Sequence, residues 1–331
     1  MCRADGAPAP TPRNLRKVPM YRWFLGMCTA SIFSLVYFVS PTYIITAFLA
    51  LIFGYPSRNA SLWYALPLIV SILIPSKGLP GPRMARLLSP MLDYFDYNEE
   101  LETSDDELRK MAKEGKKVIV ATVPHGVISF VGLCCWVNAP DDLRRIKTAV
   151  ASSLLYIPIL KNVMGIFGLT SASASNLKKH FKKDGVDGSI VVYIGGIAEL
   201  FKSSRKDERL HLANRKGFIK LALREGVDIL PAYFFGNTSV LTVMKTGPLA
   251  NLSRKIQAAL TYFWGKFYLP IPRDEKLLYA RGRPLGLPHI PEPTQEDIDK
   301  WHAKYCEEIT RLFEKYKEKV PMYKHKQLYI E

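Results

Sequence analysis

The chain has 331 residues, 48% of them hydrophobic, and a formal net charge of +16. At roughly 100–200 residues per domain, this length suits one large domain plus an appended segment better than three domains. The positive excess calls for nucleic acid, an anionic membrane or a phosphorylated cofactor, and the lack of a helix-turn-helix, zinc-finger or RNA-recognition pattern sets nucleic acid aside. Five cysteines (Cys2, Cys28, Cys134, Cys135 and Cys306) match neither a disulfide framework nor a metal site. Their odd number favours a reducing, cytosol-facing body.

Residues 1–20 carry Pro8, Pro10, Pro12 and Pro19 among small residues and read as a disordered lead. Arg13, Arg16, Lys17 and Arg22 precede a charge-free stretch from Trp23 to Ser57. Arg58 interrupts it, a second charge-free stretch follows to Ser76, and Lys77, Arg83 and Arg86 restore the charge. A spanning helix needs about 20 apolar residues. The first stretch exceeds that and the second falls slightly short, so residues 21–76 are expected to form a membrane-embedded helical hairpin turning near Gly54–Asn59. Basic residues at both outer ends place both in the cytosol.

From residue 77 to 331 the pattern is that of a cytosol-facing α/β body. A helix is expected near Asp105–Glu114, opening on Ser104 and ending at Gly115. The β-branched run Val118–Val123 reads as a buried strand ending at Pro124-His125-Gly126. The adjacent Cys134 and Cys135 lie in an apolar run and read as small buried hydrophobes. Lys178-Lys179-His180 and Lys182-Lys183 read as a solvated helix face. Ser189–Ile194 is a second strand, ending at Gly195-Gly196 with Glu199 close behind. A helix over Asn214–Arg224, stopped by Gly226, leads to a third strand over Val227–Phe235, ending at Gly236-Asn237. Residues Ile256–Leu269 are apolar and aromatic, fitting a membrane-interface element, an acyl channel or an ordinary core helix. Lys276–Leu285 contains a further strand. Thr294 and Asp297 resemble a helix-opening capping pair, with Ile298, Trp301, Tyr305, Leu312 and Tyr316 mostly on one face. Alternating strands and helices imply an α/β sheet, whose ligands sit outside the carboxyl ends of its strands.

The Pro124-His125-Gly126 turn, the Gly195-Gly196-Ile197-Ala198-Glu199 block and Arg215-Lys216-Gly217-Phe218 at a helix start resemble the type-2 diacylglycerol acyltransferase family. Pro231–Asn237 and the tail around Pro293–Ile298 also match it in order and spacing. The family includes monoacylglycerol and wax-alcohol acyltransferases, and the resemblance runs from about Met20 onward. It implies a glycerolipid-acyltransferase-like body. It also implies acyl transfer from acyl-CoA to the hydroxyl of diacylglycerol, with monoacylglycerol, a long-chain alcohol or a lysophospholipid as other acceptors. Acyl-CoA is then a co-substrate, with no tightly bound cofactor and no metal. The expected setting is the endoplasmic reticulum membrane or a lipid droplet, and homo-oligomers stay open. A non-catalytic lipid-droplet protein is the remaining reading. Two departures stand out. Family members often have His-Pro-His-Gly, where this chain has Val123, and wider glycerolipid acyltransferases place an Asp four residues after the His, where this chain has Ser129.

Under this reading His125 is the general base, because a neutral imidazole can take a hydroxyl proton as the oxygen attacks. The Gly126 and Val127 amides are expected to face the oxyanion. Glu199 is expected to position the acceptor or orient His125. Asn214, as an N-cap, with Arg215, Lys216 and Gly217, would hold the coenzyme A phosphates at a helix N-terminus. No Gly-x-Ser-x-Gly elbow is present, which fits direct transfer.

Overall fold

The computed structural model describes residues 18–75, 81–196, 199–200, 206–246 and 262–331. Most of the Pro-rich lead, Ile197-Ala198 and the first part of the Ile256–Leu269 run lie outside these residues.

Val118–Val123 forms the strand β2, with all six residues buried. Its side chains alternate between two cores: Val118 and Val120 join one, Ile119, Ala121 and Val123 the other. Asp228–Phe235 (β7) does the same, with Leu230, Ala232 and Phe234 on the first face and Ile229, Tyr233 and Phe235 on the second. A strand covered on both faces needs such an unbroken apolar run. Around this pair lie β1 (Asn98–Leu101), β3 (Lys147–Val150), β4 (Leu169–Ser171), β5 (Ile190–Tyr193) and β10 (Leu278–Arg281). Among the described residues they form a seven-stranded sheet in the order β1-β10-β7-β2-β5-β3-β4. From β7 to β4 the neighbours are parallel, while β10 pairs antiparallel with β7. Two small sheets lie outside it: β6 (Glu208–Leu210) with β11 (Leu328–Ile330), and β8 (Thr242–Val243) with β9 (Phe263–Trp264).

The helices are α1 (Met20–Phe53), α2 (Arg58–Leu73), α3 (Gly81–Leu88), α4 (Pro90–Tyr94), α5 (Asp105–Lys113), α6 (Phe130–Asn138), α7 (Leu160–Gly165), α8 (Ala174–His180), α9 (Gly185–Gly188), α10 (Gly217–Glu225) and α11 (Gln295–Tyr316). Helices α1, α4, α6 and α7 cover one face; α8, α10 and α11 cover the other. Two of the three expected helix starts hold. Ser104 and Glu107 close a reciprocal capping box on α5, and Thr294 and Asp297 close one on α11. The expected helix from Asn214 begins later, at Gly217, and its cap position is Lys216 rather than Asn214. Lys216 Nζ pairs with Asp299 of α11 at 2.7 Å.

Helices α1 and α2 fold back on each other through Ala47, Ala65 and Leu68, with Tyr43 donating its hydroxyl to the Tyr64 carbonyl. The first half of α1 does not stand apart from the body. Ala30 and Phe33 are buried in the first core, and Phe33 packs on Phe167 at 5.4 Å between ring centres. Arg22 pairs with the nearly buried Asp93 at 2.7 Å. Gly26 lets α1 touch α4: a Cβ there would lie 2.3 Å from the Pro90 carbonyl oxygen. The opposite face of the same half helix (Tyr21, Phe24, Leu25, Ile32, Leu35 and Val39) is apolar and exposed. Among the described residues α1 is the one helix long and apolar enough to cross a membrane.

The Gly26 contact is with backbone, so it cannot be relieved by rotating a side chain. Gly26→Ala gains about 1 kcal/mol of helix propensity but overpacks a rigid contact, which costs typically 1–3 kcal/mol. Denaturation in detergent is expected to show net destabilisation for Gly26→Ala and little change for Leu25→Ala on the exposed face.

Candidate active site

Parallel pairing brings the carboxyl ends of β5, β2 and β7 side by side, with Thr122 opposite Tyr193 and Val123 opposite Tyr233. The Pro124-His125-Gly126, Gly195-Gly196-Glu199 and Gly236-Asn237 segments therefore meet at one edge. His125 is half-buried there. Its Nδ1 lies 2.8 Å from the Gly126 carbonyl oxygen. A carbonyl only accepts, so Nδ1 carries the proton and Nε2 keeps its lone pair. Burial lowers the His125 pKa below its ordinary value, against a smaller opposing effect of the Gly126 carbonyl. The ring is neutral near pH 7 and its basic nitrogen is defined. The Tyr193 ring meets it edge-on, 4.8 Å between centres.

Glu199 is 2% exposed. It accepts the His125 backbone N–H at Oε2, 2.9 Å away. This contact between Glu199 and His125 runs through the main chain, not through the imidazole. Gly195 makes room for it: a Cβ at Gly195 would lie 1.8 Å from Glu199 Cδ. Gly196, at φ 57°, turns the chain back so that the carboxyl folds over Gly195. Burial pushes the Glu199 carboxyl up to about 7; the amides of His125 and His211 favour its charged form, Glu208 opposes it and Arg215 favours it.

Asn237 ties the turn together. Its Nδ2 donates to the carbonyl oxygens of Pro124, at 3.1 Å, and of His125, while its Oδ1 accepts from the Val131 amide at 3.2 Å. Gly126 allows this approach, since a Cβ there would lie 2.7 Å from the Asn237 carbonyl oxygen. Gly126 sits at φ 67°, so an L side chain would be strained as well as crowded. Among the described residues the Gly126 and Val127 amides donate to no protein acceptor. Ser129, at the position where related enzymes have an Asp, caps α6 by accepting from the Gly132 amide at 3.3 Å and hydrogen-bonds to Tyr193. Sequence reasoning gave no role to Tyr193 or Asn237; the one available signal was Asn237 directly after a glycine at a strand end.

Below Asn237 lies a buried ion pair. Lys326 Nζ and Glu208 Oε1 are 2.7 Å apart, with 2% and 1% of their side chains exposed. Thr238 donates to the same Glu208 oxygen at 2.7 Å, and the Tyr323 hydroxyl accepts the Gly236 amide at 2.9 Å. The strand pair β6–β11 thus fixes the end of β7, and through Asn237 the histidine turn.

Asn214 and Arg215 are exposed, Lys216 is paired with Asp299, and Gly217 opens α10. Among the described residues Arg215 has no carboxylate partner in an ion pair. Cys134 is fully buried, and burial holds the thiols of Cys134 and Cys135 well above their ordinary pKa, which leaves them protonated and unsuited to nucleophilic attack.

The sequence pattern of the diacylglycerol acyltransferase family matches residues 52–331, and the chain belongs to that family. Over 215 residues it is 27% identical to diacylglycerol O-acyltransferase 2 of Homo sapiens, covering 59% of this chain and 55% of the relative. The Dictyostelium discoideum protein of the same name is 31% identical over 222 residues, 61% of this chain and 66% of the relative. A 2-acylglycerol O-acyltransferase 3 of Homo sapiens is 26% identical, over 61% of this chain and 65% of its own length. The matched stretch therefore spans only about half to two thirds of these relatives. Among solved structures, the 1-acyl-sn-glycerophosphate acyltransferase PlsC of Thermotoga maritima aligns over 89% of this chain and 96% of its own, with 14% identity and a TM-score of 0.42.

The raised Glu199 carboxyl has a signed consequence for stability. In the unfolded chain it ionises near the ordinary 4.5, in the folded chain near 7. Its contribution is fully present below the lower value and is lost as pH rises through the upper one, about 3 kcal/mol in all. Glu199→Gln abolishes this titration, so the variant should gain stability relative to the parent as pH rises across that window. Chemical denaturation at a series of pH values checks it, and parallel curves for the two proteins would contradict it.

Proposed function

We propose that this chain is an acyl-CoA-dependent O-acyltransferase that esterifies the free hydroxyl of diacylglycerol, with His125 as general base. The observation that carries the reading is the turn itself. A neutral imidazole whose Nδ1 is committed to Gly126 stands next to the Gly126 and Val127 amides, at the carboxyl end of the central strand. Nε2 takes the proton from the acceptor hydroxyl as its oxygen attacks the thioester carbonyl. The negative charge that develops on the carbonyl oxygen is met by the two amides. The carbonyl reforms, the C–S bond breaks, and the departing thiolate takes the proton back from the imidazolium. Nothing in these steps requires a covalent enzyme intermediate.

Glu199 supports the His125 backbone from the neighbouring strand end. Asn214, Arg215, Lys216 and Gly217 make up the coenzyme A phosphate site, with exposed Arg215 the cation best placed to meet it. A neutral acceptor suits the edge of the sheet, where the buried group beside His125 is a carboxyl, not a cation. The similarity to a 2-acylglycerol O-acyltransferase favours monoacylglycerol as the second acceptor to test.

The same proposal places the protein in the endoplasmic reticulum membrane or on lipid droplets, held by α1 and α2, with both termini in the cytosol. Helix α1 has 34 residues, about 51 Å at 1.5 Å per residue, against a hydrocarbon layer of about 30 Å. Its uncharged outer face would be costly to keep in water.

Expression in a host lacking triacylglycerol tests the function. The wild type should restore triacylglycerol, and His125→Ala should lower turnover by at least about 100-fold while remaining folded and membrane-bound. A folded His125→Ala protein of near wild-type activity overturns the role of the histidine. Asn237→Asp keeps the acceptor for Val131 but turns a repulsive oxygen toward the Pro124 and His125 carbonyls. It is expected to lower kcat by about 100-fold with little change in the KM for acyl-CoA, as a misplaced catalytic group does. Steady-state kinetics in mixed micelles measures both.

A further inference from the structure

The Ile256–Leu269 run ends in a feature that neither the catalytic site nor the helical hairpin uses. Leu269 N–H donates to the Lys266 carbonyl at 2.9 Å, closing a four-residue turn with Phe267 and Tyr268 at its centre. Both central residues have positive φ, 55° and 58°. That is the pattern of a type I′ turn, which normally takes Asn-Gly because side chains with a Cβ are strained there. Phe267 is 79% exposed, Tyr268 78% and Leu269 51%. A strained backbone here serves to hold apolar side chains out in the open. In water this arrangement loses twice, through the backbone and through the exposed rings. Such outliers persist where they serve a function.

The position of the turn indicates what covers it. Tyr262 and Phe263 lie against Phe38 of α1, at 5.4 and 6.3 Å between ring centres. Lys266 stands over Trp23, also of α1, at 4.7 Å, and is paired with Asp274 at 2.8 Å. The segment therefore follows α1 back toward its start, where Tyr21 and Phe24 are exposed and Arg22 marks the beginning of the charge-free stretch. Aromatic rings beside cations, at the end of an apolar helix, suit the boundary between lipid headgroups and acyl chains. The surplus of basic residues suits an anionic surface.

We propose that Phe267, Tyr268 and Leu269 form a second membrane-insertion element that seats the body on the lipid surface beside the start of α1. The proposal rests on the membrane reading given above. Its test uses the full chain in vesicles of phosphatidylcholine and phosphatidylserine, with photoreactive benzoylphenylalanine placed singly at Phe267, at exposed Phe48 of α1, or at exposed Lys300 of α11. Lipid adducts are expected at positions 267 and 48 and not at 300. Adducts at 48 without any at 267 overturn the insertion element and leave the membrane reading standing. Chain-to-chain adducts at 267 in place of lipid assign the turn to a second copy and also overturn it. Absence of lipid adducts at both 48 and 267 overturns the membrane reading itself. A second variant separates function from folding: Phe267→Asn with Tyr268→Gly relieves the turn, so its thermal midpoint in detergent should rise. Its lipid adducts from a probe at Leu269 should fall several-fold; undiminished adducts overturn the proposal.

Discussion

The side-chain amide of Asn237 holds the carbonyl oxygens of Pro124 and His125, and the rest of the site depends on that bond pair. It joins the end of β7 to the end of β2, two strands already in parallel register. Its other atom takes the Val131 amide and so orients α6, which starts at the far end of the same turn. Main-chain carbonyls next to a glycine at positive φ have many alternatives in solution; one neutral donor reaching both leaves a single arrangement. The buried Lys326–Glu208 pair holds Thr238, the residue that follows this donor. Replacing one partner of such a pair is strongly destabilising because it strands the other charge, so the foundation resists piecemeal change.

The site manages its charge by keeping the histidine away from a carboxylate. With Ser129 four residues after His125, no acidic partner among the described residues supports the imidazole ring, and the tautomer is selected by the carbonyl of the very next residue. Glu199, the acidic group nearest in function, grips the main chain instead. The ring is thus oriented without a neighbouring negative charge raising its pKa, and its neutral form is favoured by burial. Gly195 and Gly126 serve packing here: each leaves space into which a neighbouring group moves.

Much of this was legible in the chain. The continuous apolar run of β2 announced a strand covered on both faces, and Ser104–Glu107 and Thr294–Asp297 announced helix starts, because these are local patterns read within a few residues. The meeting of His125 with the Gly195-Gly196-Glu199 block also followed from strand ends in a parallel sheet. What escaped is tertiary. Asn237 acts on residues more than a hundred positions away. Tyr193 reads as one more strand aromatic until β5 is placed beside β2. Asn214 has the right chemistry for a cap, yet the cap position falls two residues later, at Lys216. On α1 the face that enters the core carries mostly small residues, Gly26, Ala30, Ser31 and Ser34 around Phe33, a spacing hidden inside one long charge-free run.

That last feature bears on how the protein can be handled. Trimming away the first apolar helix to obtain a water-soluble fragment would also remove Ala30 and Phe33 from the core and the ledge on which α4 rests. The inward and outward positions are nevertheless distinct along the helix, with Gly26, Ala30, Phe33 and Ser34 on one side and Tyr21, Leu25, Ile32, Leu35 and Val39 on the other. A soluble form of the protein is therefore a problem of repainting one side of α1 with polar residues, not of deciding where to cut.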